Sequence, residues 1–440
     1  MKKLKENERK DLNKKKNIII LNNTKGITLI ALVITIIVLI ILAGISINLV
    51  LGENGIITKA KLAKEQTEQT MQNEQIGLNE TAKYVEEMGT SGGTVNPPVE
   101  KSEIEKSRDS GTYMTQPTTL KDSNGNLIKV PEGFKIAEDS GVNVTEGIVI
   151  EDNDIITEVG NNRGNQYVWI PVGNGIKKSD GTAVDITLGR YEFADGTNDK
   201  AEDGTTVLTK GTPILKQSAE NYKQEVIIGS YFKELSTSRT GVASSGKNGL
   251  NTTALNLKGF IDSVNTNGGY YIARYEASYG TDRKANSKVS NTFINTKGTT
   301  PTEEGTLWNN ITQINAATAS RNLYTTATTD LINSYAWDTA IVYIQNFSGD
   351  ADYSYQNSKN TSLTNTGAND DEVCKINDIA SNPHEWTTEY STLLSGKTDP
   401  CCTTARGGGY TVGYYTPCYR KFYSSTEMAA SIDFRFILYI

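Results

Sequence analysis

Four thiols and one imidazole set the chemical limits of this chain. The cysteines are Cys374, Cys401, Cys402 and Cys418, and the lone histidine is His384. A single imidazole excludes multi-histidine zinc sites and leaves little for Ser–His or Cys–His nucleophilic catalysis. It also removes most of the usual acid–base capacity near neutral pH. Four cysteines in 440 residues do not make a disulfide scaffold. Adjacent Cys401 and Cys402 could not readily pair with each other, and a bridge from that pair to Cys374 or to Cys418 stays open. The run Asn369-Asp-Asp-Glu372 could offer oxygens to a structural calcium, but it lacks the spacing of a dedicated loop and reads as a solvated acidic turn. No other cofactor is expected, and the sequence assigns no metal.

These groups must be positioned by what surrounds them, and the chain starts with a membrane-compatible segment. From Ile27 to Ile47 no residue is charged, and the only polar side chains are the hydroxyls of Thr28, Thr35 and Ser46. A helix of ~20 apolar residues crosses a ~30 Å hydrocarbon layer. Met1–Gly26 holds nine Lys/Arg against three Asp/Glu, so a chain beginning at Ile27 carries −13 in place of −7. That acidity argues against nucleic acid as a partner. The leader's lysines read as signals that keep this end cytoplasmic.

Gly52-Glu-Asn-Gly55 interrupts the apolar run. A polar stretch from Ile56 to Met88 follows, with Met71, Leu78, Ala82 and Val85 forming a thin stripe at helical spacing, as in a solvated stalk. Gly89 to Pro98 is a linker by composition, and residues up to Thr119 stay polar. From Leu120 short β-like runs begin, with a hairpin-type turn at Asp122–Asn126. Gly147–Glu151, Gln166–Val172 and Gly269–Glu276 read as strands. Residues 174–255 read as long surface loops with a few helical turns. Asn333–Gln345 reads as a helix with Ala336, Trp337, Ala340, Ile341 and Ile344 on one face. The expected organisation is a leader over 1–26, an apolar helix and stalk over 27–88, a flexible linker over 89–119 and an α+β domain over 120–440.

The boundary Lys25-Gly26-Ile27-Thr-Leu-Ile30, followed by the apolar helix, resembles the type IV prepilin leader. The resemblance implies cleavage by a prepilin peptidase between Gly26 and Ile27, methylation of the new N-terminus, and other pilins as partners. One departure is Ala31, where the family usually has a glutamate that pairs with a neighbour's terminal amine, which puts filament assembly in doubt. An uncleaved anchor is the alternative. A signal peptide fits poorly, because the apolar run is long and has no clear small-x-small site.

The C-terminal segments resemble, in order, the formylglycine-generating enzyme family, which has an elaborated C-type-lectin-like fold. They are Tyr167-Val-Trp-Ile-Pro-Val-Gly173, Tyr271-Ile-Ala-Arg-Tyr-Glu276, Ser334-Tyr-Ala-Trp-Asp-Thr-Ala340, Asn382-Pro-His-Glu-Trp-Thr387, Arg406-Gly407-Gly408 and Phe434-Arg435-Phe436. Catalytic members hold copper(I) with two cysteines after Arg-Gly-Gly, as soft thiolates suit that ion. Cys418 matches the second, but the first falls at or near Val412, so the resemblance implies a domain that is not an enzyme. In this reading Asn382, Glu385, Trp386, Arg406, Gly407, Gly408 and Arg435 are scaffold. Glu385 anchors its turn, Arg406 pairs with a buried carboxylate, and His384 packs in an aromatic slot.

The fold is also used by the variable proteins of diversity-generating retroelements, whose diversified residues lie between Arg-Gly-Gly and the last strand. Here that segment carries Tyr410, Val412, Tyr414, Tyr415, Thr416, Tyr419, Lys421 and Tyr423. Tyrosine gives a rigid ring with a polar tip at low entropic cost, and serine and glycine adapt around it. The resemblance implies a binding site for an external protein or glycan, with most of these tyrosines exposed on one face. The overall expectation is a membrane-anchored cell-surface protein. The alternatives are a minor pilin or pseudopilin and, further off, an enzyme of the formylglycine-generating type. N-terminal sequencing of membrane-extracted protein is expected to begin at Ile27, whereas a start at Met1 would leave the plain anchor.

Overall fold

A computed structural model of the chain describes Val33 and, from Glu100 to Ile440, all residues except 155–162, 195–199, 202, 225, 229–231, 235–253, 281–284, 289, 291–300, 302, 356–361, 369–370, 392–402, 411–414 and 425–426. The leader, Gly26, Ile27, Ala31 and the rest of the expected anchor and stalk lie outside the described residues, Val33 apart. Among the described residues no helix is long and apolar enough to cross a membrane. Lys101–Ile440 clusters as one unit. It mixes helices and strands, in the α+β class expected.

A helix lies before residue 120, inside the segment read as flexible linker. Helix α1 (Glu103–Ser110) is fixed by a reciprocal capping box between Ser102 and Glu105, and Gly111 closes it in the left-handed region. Ile104 is fully buried in the main core. One apolar residue in a polar stretch gives no periodicity to read, whereas the Ser102–Glu105 cap was visible and is the better signal. The hairpin that follows pairs Thr118–Lys121 with Leu127–Val130. Its turn is organised by Asp122, whose carboxylate accepts from the Asn124 and Asn126 amides at 2.9 and 2.7 Å.

Ten strands build the two principal sheets: β1 (Lys135–Ile136), β2 (Val149–Glu151), β3 (Gln166–Pro171), β4 (Gly269–Ala273), β5 (Thr328–Leu331), β6 (His384–Thr387), β7 (Thr403–Arg406), β8 (Arg420–Tyr423), β9 (Ile432–Phe434) and β10 (Phe436–Tyr439). The first sheet has the order β5-β10-β4-β3-β2-β1, with neighbours antiparallel. Every residue of β3 and β4 is buried, so this sheet is covered on both faces and reads in sequence as unbroken apolar and aromatic runs. The second sheet has the order β8-β7-β6-β9. There β6 runs parallel to β9, and the other pairs are antiparallel.

Three more helices flank the sheets: α2 (Leu257–Asn267), α3 (Gln313–Ser320) and α4 (Ser334–Phe347). The Asn333 side chain caps α4 by accepting from the Ala336 amide. Every residue of α4 except Asn346 is buried, so the single apolar face expected from spacing is only part of its packing. Its other faces bury polar groups that meet partners. Asp338 accepts from the Tyr191 amide at 2.8 Å, Thr339 from the Gly189 amide at 3.1 Å, and the Tyr343 hydroxyl donates to Val144 O at 2.6 Å. The region read as long loops also holds strands. Gly173–Lys177 pairs with Ala183–Ile186, and Gly189–Glu192 pairs with Ile214–Ser218. Gly189–Glu192 is buried throughout, whereas the other three bury only part of their length and so leave little apolar pattern to read.

Candidate functional site

The Arg-Gly-Gly turn after β7 is dictated by close approach. Gly407 has φ +86°, a conformation that favours glycine, and a Cβ there would meet the Trp337 ring at 3.1 Å. A Cβ on Gly408 would fall 2.1 Å from Ala380 O. Gly409 extends the requirement, since its Cβ would meet His384 Cε1 at 2.8 Å and Tyr415 Cδ2 at 3.1 Å. The chain therefore leaves β7 pressed against α4 and the start of β6, and no side chain fits between them.

Past this turn an aromatic cluster forms around His384. The Tyr415 ring meets the imidazole edge-on at 4.5 Å between centroids, with Tyr419 at 6.3 Å, and Tyr415 and Tyr419 lie 4.7 Å apart. Lys421 Nζ donates to the Tyr415 hydroxyl at 2.9 Å and sits over the Tyr415 and Tyr423 rings at 4.7 and 5.2 Å. Tyr423 in turn packs edge-on against Trp386 at 5.4 Å. His384 Nδ1 faces the Gly407 carbonyl at 3.1 Å. A carbonyl only accepts, so Nδ1 carries the proton and Nε2 presents a lone pair. Burial, and then Lys421, push the imidazole down to about 4, so it is neutral at physiological pH.

A buried charge cluster underlies this one. Arg406 Nη2 contacts Asp338 at 2.6 Å and its Nη1 contacts Glu389 at 3.2 Å. Arg420 reaches the same two carboxylates, Asp338 at 2.5 Å and Glu389 at 3.0 Å, and Arg190 contacts Glu389 at 2.7 Å. Arg190, Asp338, Glu389 and Arg406 have wholly buried side chains. Burial opposes ionisation of Glu389, but Arg420, Arg406 and Arg190 outweigh it and take this carboxyl down to about 2. A second pair joins β6 to the residue between β9 and β10. Arg435 grips Glu385 with Nε at 2.9 Å and Nη2 at 2.8 Å.

The sequence-predicted residues therefore fall into two sets. Trp386, Arg406 and Arg435 are fully buried, and Asn382 takes φ +59° at the turn before β6. Arg406 has the carboxylate partner anticipated for it, twice over. Of the tyrosine-rich set, Tyr415, Tyr419, Lys421 and Tyr423 converge in one cluster. Tyr410 is half-buried, and its amide donates to Asn382 O at 2.8 Å. Val412 and Tyr414 lie outside the described residues. The expectation that most of these tyrosines are exposed needs correcting. Tyr415 and Thr416 are buried, and Tyr410, Tyr419 and Tyr423 are half-buried, because the rings pack on His384, Trp386 and one another. Arg420, Glu389, Asp338 and Gly409 went unrecognised as site-forming residues. Asp338 stands inside the motif Ser334–Ala340, so a signal for it existed, whereas nothing in sequence links Glu389 to Arg190.

Cys374 is a free thiol, which burial pushes up to about 12. Cys418 is buried, and its Sγ donates to Ser354 O at 3.1 Å. Cys401 and Cys402 lie outside the described residues. In the acidic run, Glu372 is committed to Arg274 at 2.7 Å and Asp371 to Ser381 and the Asp378 amide. Among the described residues no group of three or more His, Cys, Asp or Glu is placed to hold a metal ion. Searches against family models, curated proteins and solved structures find no match.

Replacing Arg406 by alanine leaves Asp338 and Glu389 short of a cation in a buried site. The expected loss is about 3–5 kcal/mol in chemical denaturation at neutral pH. Glu389 titrates in the opposite sense to a desolvated acid. Its contribution is full above the ordinary carboxyl value and is lost as pH falls through about 2. The destabilisation of Arg406→Ala relative to the parent is therefore expected to shrink in strong acid. A loss below 1 kcal/mol at neutral pH would show that the cluster does not hold the sheet.

Proposed function

We propose that this chain is a membrane-anchored cell-surface binding protein. It displays its ligand site on a C-type-lectin-like domain of the formylglycine-generating-enzyme type. The observation that carries this reading is the alternation along β8. Arg420 points to the buried carboxylates Asp338 and Glu389, while the next residue, Lys421, meets Tyr415 and Tyr423. Such a strand can hold one row of side chains fixed while the other serves recognition. Aromatic rings with polar tips and one ammonium group supply stacking surface and donors for a protein or glycan.

The same segment occupies the position diversified in retroelement variable proteins, which supports a site that tolerates substitution at Tyr410, Tyr419, Lys421 and Tyr423. No catalytic role is assigned, since the copper-binding thiol pair implied by the family is incomplete at Val412. The N-terminal reading is a prepilin-type leader cut after Gly26 by a prepilin peptidase, with the helix from Ile27 in the membrane and the domain outside the cell. A minor pilin role is the second reading, favoured by Lys25-Gly26 ahead of the uncharged run.

The test is a set of Tyr419→Ala, Lys421→Ala and Tyr423→Ala variants. Each is assayed by thermal melt and by binding to a glycan array and to intact cells. A central aromatic contact is worth ~2 kcal/mol or more, so binding is expected to fall at least about thirtyfold. The melt should move far less for Lys421→Ala than for Arg406→Ala. Parallel loss of folding and binding in all three would mark the cluster as core and end the ligand-site reading.

A further inference from the structure

The seam between β6 and β9 contains more buried acid than its cation can balance. Glu385 lies opposite Asp433 and Trp386 opposite Phe434 in this parallel pair. The Ala277 amide donates to Phe434 O at 2.8 Å, which brings Glu276 to the same place. Glu276 and Asp433 are both fully buried. Glu276 Oε2 accepts from Asn382 Nδ2, but Glu276 Oε1 and both Asp433 carboxyl oxygens meet no donor.

The groups facing this pair are Glu385, Asp378 and Arg435, and Asp371 in turn faces Glu385. Arg435, the one cation, is already spent on Glu385 and on the carbonyls of Ala273 and Asn377, both at 2.7 Å. Asp378 is compensated by the Gly367 amide and Thr366, and Asp371 by Ser381 and the Asp378 amide. Asp433 has no such compensation, and an unpartnered carboxylate in a dry interior is among the costliest groups a fold can hold. The Asp433 and Glu276 carboxyls are close enough to hydrogen-bond once one carries a proton.

We propose that Glu276 and Asp433 hold a trapped proton that latches the β6–β9 seam, making the domain progressively weaker as pH rises. The inference is independent of the ligand reading. It reaches the candidate site because β6 also pairs with β7, with Glu385 opposite Arg406. Burial, and then the neighbouring carboxylates, raise both groups well above the ordinary carboxyl range. The native state therefore keeps protons that the unfolded chain releases. Stability is full below about pH 4 as far as this pair is concerned, and it declines as pH rises towards the native values. Each retained proton costs about tenfold in the folding constant per pH unit.

Glu234 contributes in the same direction. Burial pushes it up to about 7, and it accepts from the Ser334 amide and Thr388. The experiment is urea denaturation of the full-length chain in detergent between about pH 5 and about pH 9. It compares the parent with Asp433→Asn, Glu276→Gln and the control Glu234→Gln. The parent should lose stability across this range. Asp433→Asn or Glu276→Gln should each flatten the fall by about tenfold per pH unit, on top of the part that Glu234→Gln removes. Protection factors at His384–Thr387, which remove the base-catalysed rise intrinsic to every amide, should fall with pH in the parent and not in Asp433→Asn. Equal pH slopes in parent and both variants would overturn the proposal, as would a pH-independent loss in both, which would show the pair to be ionised. If one variant fails to fold, the other decides.

Discussion

Arg406 is the point on which the second sheet and the candidate site depend. Its guanidinium joins Asp338 of α4 to Glu389 just past β6, while its backbone holds β7 between β6 and β8. Arg420 repeats the connection one strand further out, and Arg190 ties Glu389 to the first half of the chain. Desolvating five charges is expensive, and apolar side chains of equal volume would often stabilise as well. What this arrangement supplies is register. Two carboxylates and three guanidinium groups fit one another in one way, so β8 cannot slide along β7 without stranding a buried charge. That fixes where Lys421 and Tyr423 stand relative to Trp386 and His384.

The surroundings are arranged to make this possible. α4 is buried on all sides yet carries Asp338 and Thr339, and both are satisfied by backbone amides of the Gly189–Glu192 strand. The Trp337 indole donates to Pro417 O at 2.9 Å, tying α4 to the segment between Tyr415 and Tyr419. Three successive glycines let the chain leave β7 against α4 and β6. The aromatic cluster thus sits on a frame made from four distant parts of the chain. The Glu276–Asp433 pair runs against this design, since there the seam buries acid without a matching base.

Much of the frame was legible in sequence, because its elements are strongly patterned. Continuous apolar and aromatic runs predict β3 and β4, and helical spacing predicts α4. The resemblance marked Arg406-Gly-Gly and Asn382 as scaffold, and the positive φ of Gly407 and Asn382 gives the physical reason. What sequence could not give was pairing across distance. The contact between Arg190 and Glu389 joins residues almost two hundred positions apart, and neither has a local signal. Likewise, α1 hides in a polar stretch where one buried isoleucine does the packing. The exposure of the tyrosines was misjudged for a related reason, since a tyrosine's ring packs as well as it displays. Which of the two it does depends on neighbours such as His384 and Trp386 that come from another strand.

The central claim is that buried ion pairs make the β7–β8 platform as rigid as the core beneath it. Native-state hydrogen exchange of the full-length protein measures this directly. The amides that pair β7 with β8, over Thr403–Arg406 and Arg420–Tyr423, should exchange as slowly as those of β3 and β4. In Arg406→Ala they should exchange much faster while β3 and β4 remain protected. Rapid exchange of β7 and β8 in the unmodified protein, at rates typical of exposed loops, would contradict the account.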